Sequence, residues 1–202
     1  MFWDRVARVY DFVEKVYNGK VFRALGKRVA ENIEETDCVL ECACGTGAIS
    51  KAVAGKCKRL VATDFSGKML KRAQKKCKKQ KNVEFAWADI MHLEYADCTF
   101  DKVVAGNVIH LLEEPQAALK ELERVCKIGG KIIIPTYINH EKKGKPDFMV
   151  RVFSKVGAGF KRQFTFQSYR EFLEKAGYAN AEYDIVEGKV PCAIAIITKV
   201  TI

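Results

Sequence analysis

The sequence lacks the features that mark several special classes of protein. No apolar run reaches the roughly 18 residues that a membrane-spanning helix requires, and the charged N-terminus lacks the apolar stretch of a secretory signal. No repeat, low-complexity segment or linker divides the 202 residues. These absences favour a single domain over residues 1–202 in a soluble, cytoplasmic protein.

Two nucleotide-binding fingerprints are also missing. The dinucleotide pattern G-x-G-x-x-G needs a third glycine after Gly45 and Gly47, but that position holds Ser50. No G-x-x-x-x-G-K-[ST] phosphate-binding loop occurs anywhere in the chain. A dinucleotide oxidoreductase and a P-loop kinase are therefore disfavoured.

None of the eight cysteines forms a C-x-x-C pair, so the usual spacings of zinc and redox sites are absent. Several of them fall at apolar positions of predicted strands and helices. We interpret them as small buried apolar side chains, with disulfides or a metal as the alternatives.

The net charge is +10, and a lysine-rich run over residues 68–81 supplies much of it. Such a run can attract nucleic acid or an acidic membrane surface. However, Met69, Leu70, Ala73 and Cys77 form an apolar stripe at helical spacing within it, and the run holds no aromatic residue for base stacking. We interpret it as the solvated face of an amphipathic helix.

Apolar residues make up 49% of the chain and alternate between two periodicities, which predicts strands alternating with helices around a mostly parallel sheet. A helix is expected near the N-terminus over 3–17, followed by a second over about 20–34. Later helices are expected over 48–54, along the lysine-rich run, from Pro115, and between Thr165 and Gly177. The predicted strands are 37–41, 59–63, 83–87, 102–105, 131–135, 182–186 and 192–199, with a turn at 129–130.

Four features follow the first four predicted strands. A loop containing Gly45 and Gly47 follows the first strand, and Asp64 ends the second, 19 residues beyond Gly45. Asp89 follows the third strand, and Asn107 the fourth. Because open α/β folds bind ligands at the carboxyl ends of their strands, these residues should meet at one edge. A carboxylate such as Asp64 can accept the hydroxyl groups of a ribose there.

The motifs carrying these features resemble the class I S-adenosylmethionine (SAM)-dependent methyltransferases, particularly the small-molecule group that includes ubiquinone and menaquinone C-methyltransferases. The resemblance covers about residues 2–135 and resumes near residue 164. It departs at Ala43, where the family usually has glycine. The similar stretches are VLECACGTGAIS, LVATDFSGKML, FAWADIMHL, FDKVVAGNVIHLL, LERVCKIGGKIII and FTFQSYREFLEKAGY.

The resemblance implies a doubly wound, Rossmann-like α/β fold with a mostly parallel seven-stranded sheet, helices on both faces and an antiparallel C-terminal strand. It also implies SAM as cofactor and no metal. Glu41, Gly45 and Gly47 would frame its methionine and ribose portion, and Asp64 would hold the ribose hydroxyls. The remaining cofactor assignments are Phe65 on the adenine face, Asp89 and Ile90 at the adenine edge and face, and Asn107 beside the methionine.

The acceptor side is less constrained by sequence. His110 is a candidate proton acceptor because it lies three residues beyond Asn107. Tyr10 and Tyr17 belong to an N-terminal segment, residues 1–20, that closes over the site in similar enzymes. Residues 139–165, rich in basic and apolar side chains, are expected to form an irregular substrate-side excursion that contacts the acceptor or a membrane surface. Tyr137 is a further candidate on the substrate side, and His92 and His140 have weaker claims.

We expect in-line methyl transfer to a small or lipid-like acceptor, because the common fold leaves no room for a separate recognition domain. One alternative is an RNA or protein methyltransferase; the absence of an N-P-P-Y loop after the fourth strand argues against adenine amines, and nucleic acid is disfavoured as a partner. A non-catalytic SAM-binding module is another. A third gives Cys42 and Cys44 a role with a thiophilic metal or arsenic. The sequence does not indicate the oligomeric state.

Overall fold

A computed structural model of the chain describes residues 3, 4, 7, 19–139 and 161–200. Within these residues, seven strands form one sheet in the order β3-β2-β1-β4-β5-β7-β6. The strands are β1 (Cys38–Cys42), β2 (Arg59–Asp64), β3 (Val83–Trp87), β4 (Phe100–Ala105), β5 (Cys126–Tyr137), β6 (Glu182–Val186) and β7 (Cys192–Thr198). The helices are α1 (Gly19–Ala30), α2 (Ser50–Ala54), α3 (Gly67–Lys76), α4 (Pro115–Val125) and α5 (Phe166–Lys175), with a 3-10 helix at Ile109–Leu111.

The predicted fold class is confirmed. Strands β1 to β5 pair in parallel, and β7 runs antiparallel to both of its neighbours, β5 and β6. Strand order reverses beside β1, where β2 lies on one side and β4 on the other. Where the strand order reverses, the connections after neighbouring strands run to opposite faces of the sheet, which leaves a crevice at the carboxyl ends of these strands.

Helices cover both faces of the sheet, and each face has its own apolar core. On one face, buried side chains of α1, α2 and α3 such as Leu25, Val53 and Leu70 pack against the strands. On the other face, α4 and α5 contribute buried residues such as Leu122 and Tyr169. Because both faces are covered, the central strands are apolar without alternation, as parallel sheets require.

Two predicted element boundaries were wrong. The helix expected over 20–34 ends at Ala30, because the amides of Asn32 and Ile33 bond carbonyls only three residues back and tighten the chain into a turn. The glycine pair at 129–130 does not precede β5 but lies within it. There the pairing with β4 shifts register, and Gly130 approaches the Asp101 carbonyl so closely that an added Cβ would lie 2.7 Å from its oxygen.

The C-terminal helix begins and ends as predicted. The Thr165 hydroxyl accepts a hydrogen bond from the Ser168 amide, and the Ser168 hydroxyl accepts one from the Thr165 amide. This reciprocal pair satisfies two amides that a helix start leaves without partners. Gly177 follows the helix at φ 101°, a left-handed conformation that suits glycine.

The segments expected to face the acceptor are only partly described. Of the N-terminal segment, Trp3, Asp4 and Ala7 have helical backbone, whereas Tyr10 and Tyr17 lie outside the described residues. Residues 140–160 of the expected excursion, including His140, also lie outside them. Its described residues, 161–165, form no helix or strand, and Phe164 among them is buried and makes a single β-bridge with Ile138 after β5.

Six cysteines are buried, as the sequence predicts; Cys38 is half-buried and Cys98 exposed, and all eight are free thiols. Burial raises the pKa of the Cys42 thiol to about 12, and that of Cys44 well above its usual range. Both thiols therefore remain protonated at neutral pH and act as small packing groups. Among the described residues, no helix combines the length and hydropathy needed to cross a membrane.

Candidate active site

A cleft of about 270 Å³ opens at the carboxyl ends of β1 to β4. A smaller cavity of about 40 Å³ adjoins it. The two share the backbone of the loops after β1 and β4 as a common wall, at Ala43, Gly45, Gly106 and Asn107. The site is thus a long recess with a wide end near β2 and β3 and a narrow end near Glu41.

The loop after β1 is shaped by left-handed residues. Gly45 has φ 55° and Gly47 has φ 81°, conformations that glycine adopts at little cost. Nothing lies within 4 Å of a Cβ built on Gly45, so its backbone faces open space in the cleft. Gly47 instead contacts α3: an added Cβ would lie 3.0 Å from Cα and Cβ of Ala73. One glycine therefore exposes backbone to a ligand, and the other lets a loop approach a helix.

Ala43 also adopts a left-handed conformation, with φ 52°. This is the position at which the resembling family usually has glycine. An L-residue pays roughly 1–2 kcal/mol in this region because its Cβ approaches the following carbonyl. Its half-buried methyl group packs against the core and lines both cavities.

Asp64 ends β2 and lies in the wall of the cleft. Its Oδ2 accepts a hydrogen bond from the Gly45 amide, and its Oδ1 accepts one from the Ser66 amide, both at 2.8 Å. A carboxylate has about four lone-pair sites, so each oxygen can accept one further bond. Burial raises the Asp64 pKa, while the two amides act in the opposite direction. Two backbone amides thus orient the Asp64 carboxylate in the wall of the cleft.

Glu41, near the end of β1, lines the narrow cavity and is only 2% exposed. Its Oε2 has no hydrogen-bond partner within the described part of the chain. Burial raises its pKa to about 8; the charge of Asp64 adds to this rise, whereas Ser50 and Lys76 oppose it. A buried carboxyl group with a spare oxygen fits a cationic ligand, which would favour the ionised form.

The wide end of the cleft is lined by Phe65, Asp89 and Ile90. Phe65 is 44% exposed, and its ring lies 5.1 Å from that of Trp87, whose indole nitrogen donates to the Phe65 carbonyl. Asp89 Oδ1 accepts a hydrogen bond from the Met91 amide, which orients the carboxylate. An apolar slot with a carboxylate at its edge matches the predicted surroundings of an adenine.

Asn107 lies in the wall shared by both cavities and has φ 54°. Its amide donates to the Pro135 carbonyl at 2.7 Å, and its side-chain oxygen accepts from the Cys192 thiol at 3.6 Å. The preceding Gly106 packs against the Ile49 side chain, whose Cδ1 would lie 2.5 Å from an added Cβ and would have to move. The loop after β4 is therefore held close to the loop after β1.

His110 does not line either cavity, although its neighbours Leu111 and Leu112 line the cleft. The side chain is 3% exposed, and its ring packs at 5.9 Å from Tyr137, which packs at 6.0 Å from Phe22 in the wall of the narrow cavity. Burial lowers the His110 pKa to about 3. Its imidazole is therefore neutral at physiological pH and lies behind the wall.

Most of the predicted cofactor residues converge on this recess. Gly47 lines neither cavity and acts through its contact with α3. His92 pairs with Asp89 through the backbone and is exposed, outside both linings. Trp3, Met69 and Ala88 also line the cleft, but the sequence did not indicate this. Each is an apolar residue in a helix or after a strand, where the pattern predicts an ordinary core position. The predicted residues that line the recess are Glu41, Gly45, Asp64, Phe65, Asp89, Ile90 and Asn107.

Residues 40–134 match a family described as the methyltransferase domain. A demethylmenaquinone methyltransferase of Clavibacter sepedonicus is 33% identical over 135 residues, which cover 65% of this chain and 55% of that protein. This chain thus spans about half the length of that relative. A demethylmenaquinone methyltransferase of Staphylococcus saprophyticus is 27% identical over 93% of this chain and 91% of its own length.

The fold is also similar to that of a solved structure. The crystal structure of an S-adenosyl-L-methionine-dependent methyltransferase from Methanococcus maripaludis superposes with a TM-score of 0.73 and 20% identity, over 100% of this chain and 95% of that one. The domain match lies on the strands and loops that build the recess, and the fold agrees beyond it. The chain therefore resembles the methyltransferase-domain family over residues 40–134, and its fold is similar to that of an S-adenosyl-L-methionine-dependent methyltransferase.

Proposed function

We propose that the chain binds SAM in the recess and transfers a methyl group to a small or lipid-like acceptor. The observation that carries this proposal is the pairing of two carboxyl groups in one recess: Asp64 at its wide end and Glu41 at its narrow end. SAM has a neutral sugar and base at one end, and at the other a sulfonium and an amino acid that carries an ammonium group and a carboxylate. The recess offers matching chemistry along its length.

The residues present fit the cofactor at each position. Each Asp64 oxygen accepts one amide and keeps a further lone pair that would accept a ribose hydroxyl, and the open space at Gly45 admits a ligand close to the backbone. Phe65 and Ile90 supply apolar faces for an adenine, with Asp89 at its edge. The spare oxygen of Glu41 suits the ammonium group of the methionine portion.

When bound, SAM supplies a methyl group on a sulfonium; the acceptor forms the new bond to carbon in line with the breaking S–C bond, whose electron pair stays on sulfur as S-adenosylhomocysteine. The protein's part is orientation and exclusion of water. Correct placement of two reactants contributes roughly 7–11 kcal/mol to lowering the barrier. Ala43 and Asn107, which line both cavities, lie at the junction where the sulfonium would sit.

The acceptor side supports a small apolar substrate. Trp3, Leu111 and Leu112 add apolar side chains to the lining of the cleft. The curated relatives are named for demethylmenaquinone, a quinone, and an acceptor of that class suits this lining. Tyr10 and Tyr17 remain candidate acceptor-side residues by resemblance alone.

The direct test is calorimetry with SAM and S-adenosylhomocysteine. Asp64→Ala removes two charge-assisted hydrogen bonds to the ribose, so we expect at least tenfold weaker binding. Asp64→Asn, which keeps the side-chain shape and one acceptor, controls for local collapse of the loop. Asp97→Ala is the matched surface control, since Asp97 lies far along the chain at an exposed ion pair with Arg124. Near-normal affinity in both Asp64 variants would contradict the ribose assignment.

His110→Ala tests the acceptor side. We propose that His110 is a positioning residue that acts through the Tyr137 ring, because it is neutral and lies behind the cavity wall. We expect turnover to fall severalfold while the Kd for SAM changes less than twofold. Release of S-adenosylhomocysteine with thiols, amines, phenols and quinols measures the turnover. Unchanged turnover, or a pH–rate profile that loses an ionisation near neutrality, would remove His110 from this role.

A further inference from the structure

The net charge of the chain comes from one continuous segment. Between residues 19 and 81 there are sixteen lysine and arginine residues against six acidic ones, whereas the rest of the chain holds nineteen of each sign. The whole excess of +10 thus belongs to the segment that forms α1, β1, α2, β2 and α3. Because the excess positive charge is confined to these elements, we next consider the surface that they form.

The fold places this segment on one side of the sheet. The helices α1, α2 and α3 pack their apolar side chains into the same core, so their charged side chains point away from it. Three of the six acidic residues, Asp37, Glu41 and Asp64, are buried and contribute nothing to the outer surface. We call the outer surface of these three helices and the loops after α2 and α3 the basic face.

Acidic neighbours neutralise only part of the basic face. Arg28 pairs with Glu31 and with Asp184 of β6, and Arg59 pairs with Glu84 of β3. The lysines of α3 and the loop after it are different. In residues 19–139 and 161–200, none of these five takes part in an ion pair: Lys71, Lys75, Lys78, Lys79 and Lys81.

The composition of the basic face favours a diffuse anionic surface over a nucleic acid. Twelve of the sixteen basic residues between positions 19 and 81 are lysines, which act as flexible point charges, whereas arginine supplies the fork that recognises phosphate in nucleic acids. Residues 66–82 contain no aromatic side chain on which a base could stack. Clusters of four to eight basic residues suffice to hold a protein at an acidic membrane, at about 1 kcal/mol each.

The position of the basic face relative to the cleft supports the same partner. Ser66, the N-cap residue of α3, directly follows Asp64 and Phe65 in the cleft wall. Trp87, 59% exposed, lies against Phe65 at this end of α3. Exposed tryptophan beside lysines is typical of a surface that meets lipid headgroups. An apolar acceptor drawn from a bilayer would then enter near the surface on which the protein rests.

We propose that the basic face docks the protein on anionic lipid headgroups. The choice of lipid rests in part on the proposed lipid-like acceptor, while the charge separation stands without it. The attraction is electrostatic, reversible and screened by salt. Lys71 and Lys75 on α3 and Lys79 in the loop after it are among its main contributors.

Co-sedimentation of the full chain with vesicles tests this proposal. Vesicles containing phosphatidylglycerol should bind the protein at about 0.05 M salt and release it at about 0.5 M, because screening shortens the range of the attraction. Pure phosphatidylcholine vesicles should not bind it. The triple variant Lys71→Gln, Lys75→Gln, Lys79→Gln should bind at least tenfold more weakly.

The matched control removes three lysines from the electrically balanced remainder of the chain: Lys120→Gln, Lys131→Gln, Lys175→Gln. It has the same net charge as the first variant, and we expect less than a threefold change. Equal losses in both variants would show a net-charge effect and overturn the proposal, as would failure to bind phosphatidylglycerol or tighter binding to transfer RNA that competes with vesicles. The co-sedimentation assay contains neither SAM nor an acceptor. Its result therefore does not depend on whether the protein transfers a methyl group.

Discussion

At the scale of single residues, Glu41 links the recess to pH. In the unfolded chain its carboxyl group would ionise near 4.5, whereas in the fold its pKa is raised to about 8. The folded state therefore holds the proton more tightly between these values. The sign follows: this group's contribution to the free energy of unfolding falls as pH rises from about 4.5 to about 8, by at most about 1.4 kcal/mol per pH unit.

Glu41→Gln should remove that dependence, because the amide keeps the shape of the protonated acid and cannot ionise. Urea denaturation without ligand should show a flatter pH profile for the variant and greater stability near pH 8. SAM binding should weaken, since the cationic ligand loses its partner. The native protein should release a proton on binding SAM near pH 7, measurable by calorimetry in buffers of different ionisation enthalpy. Parallel profiles for both proteins would show that Glu41 is not the responsible group.

The sequence predicted the positions of those cleft residues that lie at or just after the end of a strand. Asp64, Asp89 and Asn107 each follow a strand whose apolar run is plain in the sequence, and all three line the cleft. The pKa values of Glu41 and His110 were not predictable, because burial depends on packing from distant elements such as β5. The left-handed backbone of Ala43 was signalled only by its departure from the family's glycine.

At the scale of elements, the approach of the β1–α2 loop to α3 sets the shape of the recess. Gly47 and Gly45 both have left-handed backbone, but only Gly47 lies against another element. Comparing substitutions at these two glycines therefore separates the free-energy cost of a left-handed backbone from that of displacing a helix. Ala43 shows that the same loop accommodates an alanine in the left-handed region.

Gly47→Ala should destabilise the protein more than Gly45→Ala. Each substitution should cost about 1–2 kcal/mol for its backbone conformation. Gly47→Ala should cost a further 1–3 kcal/mol, roughly, because its Cβ would press on Ala73 and move α3. Urea denaturation of the two single variants, compared at one pH, measures the difference. Equal losses of stability in the two variants would mean that α3 moves away from the added Cβ with no measurable loss of unfolding free energy.

The presence of each helix and strand was easier to predict from the sequence than the residues at which it begins and ends. Strands 83–87 and 182–186 agree with the structure, since turn residues bound them on both sides. Strand β5 is far longer than its apolar run because pairing with β7 and the bulge at Gly129 and Gly130 extend it. Pairing between strands distant in sequence leaves no local pattern, so this extension could not be inferred.

At the scale of the whole molecule, the sheet joins two cores that differ in surface charge. The segment that forms α1, α2 and α3 carries the whole net positive charge, and the rest of the sequence holds equal numbers of basic and acidic residues. Alternation of strands and helices sufficed to predict this layered architecture. The surface charge was visible as a lysine-rich run, but its concentration on one side depends on which helices share a face, which only the fold defines.

The recess lies where loops from both faces meet, so a ligand there should stabilise the whole molecule. A ligand that binds only the folded state at 100 times its Kd adds about 2.7 kcal/mol to the free energy of unfolding. For a chain of this length that corresponds to a rise in Tm of about 5–10 °C. SAM and S-adenosylhomocysteine should both produce this rise in differential scanning fluorimetry, and methionine alone should not. Asp64→Ala should fold yet lose most of the shift, because the cofactor then loses its anchor between the loops after β1 and β2. A Tm that neither ligand moves in the native protein would show that the recess does not bind them.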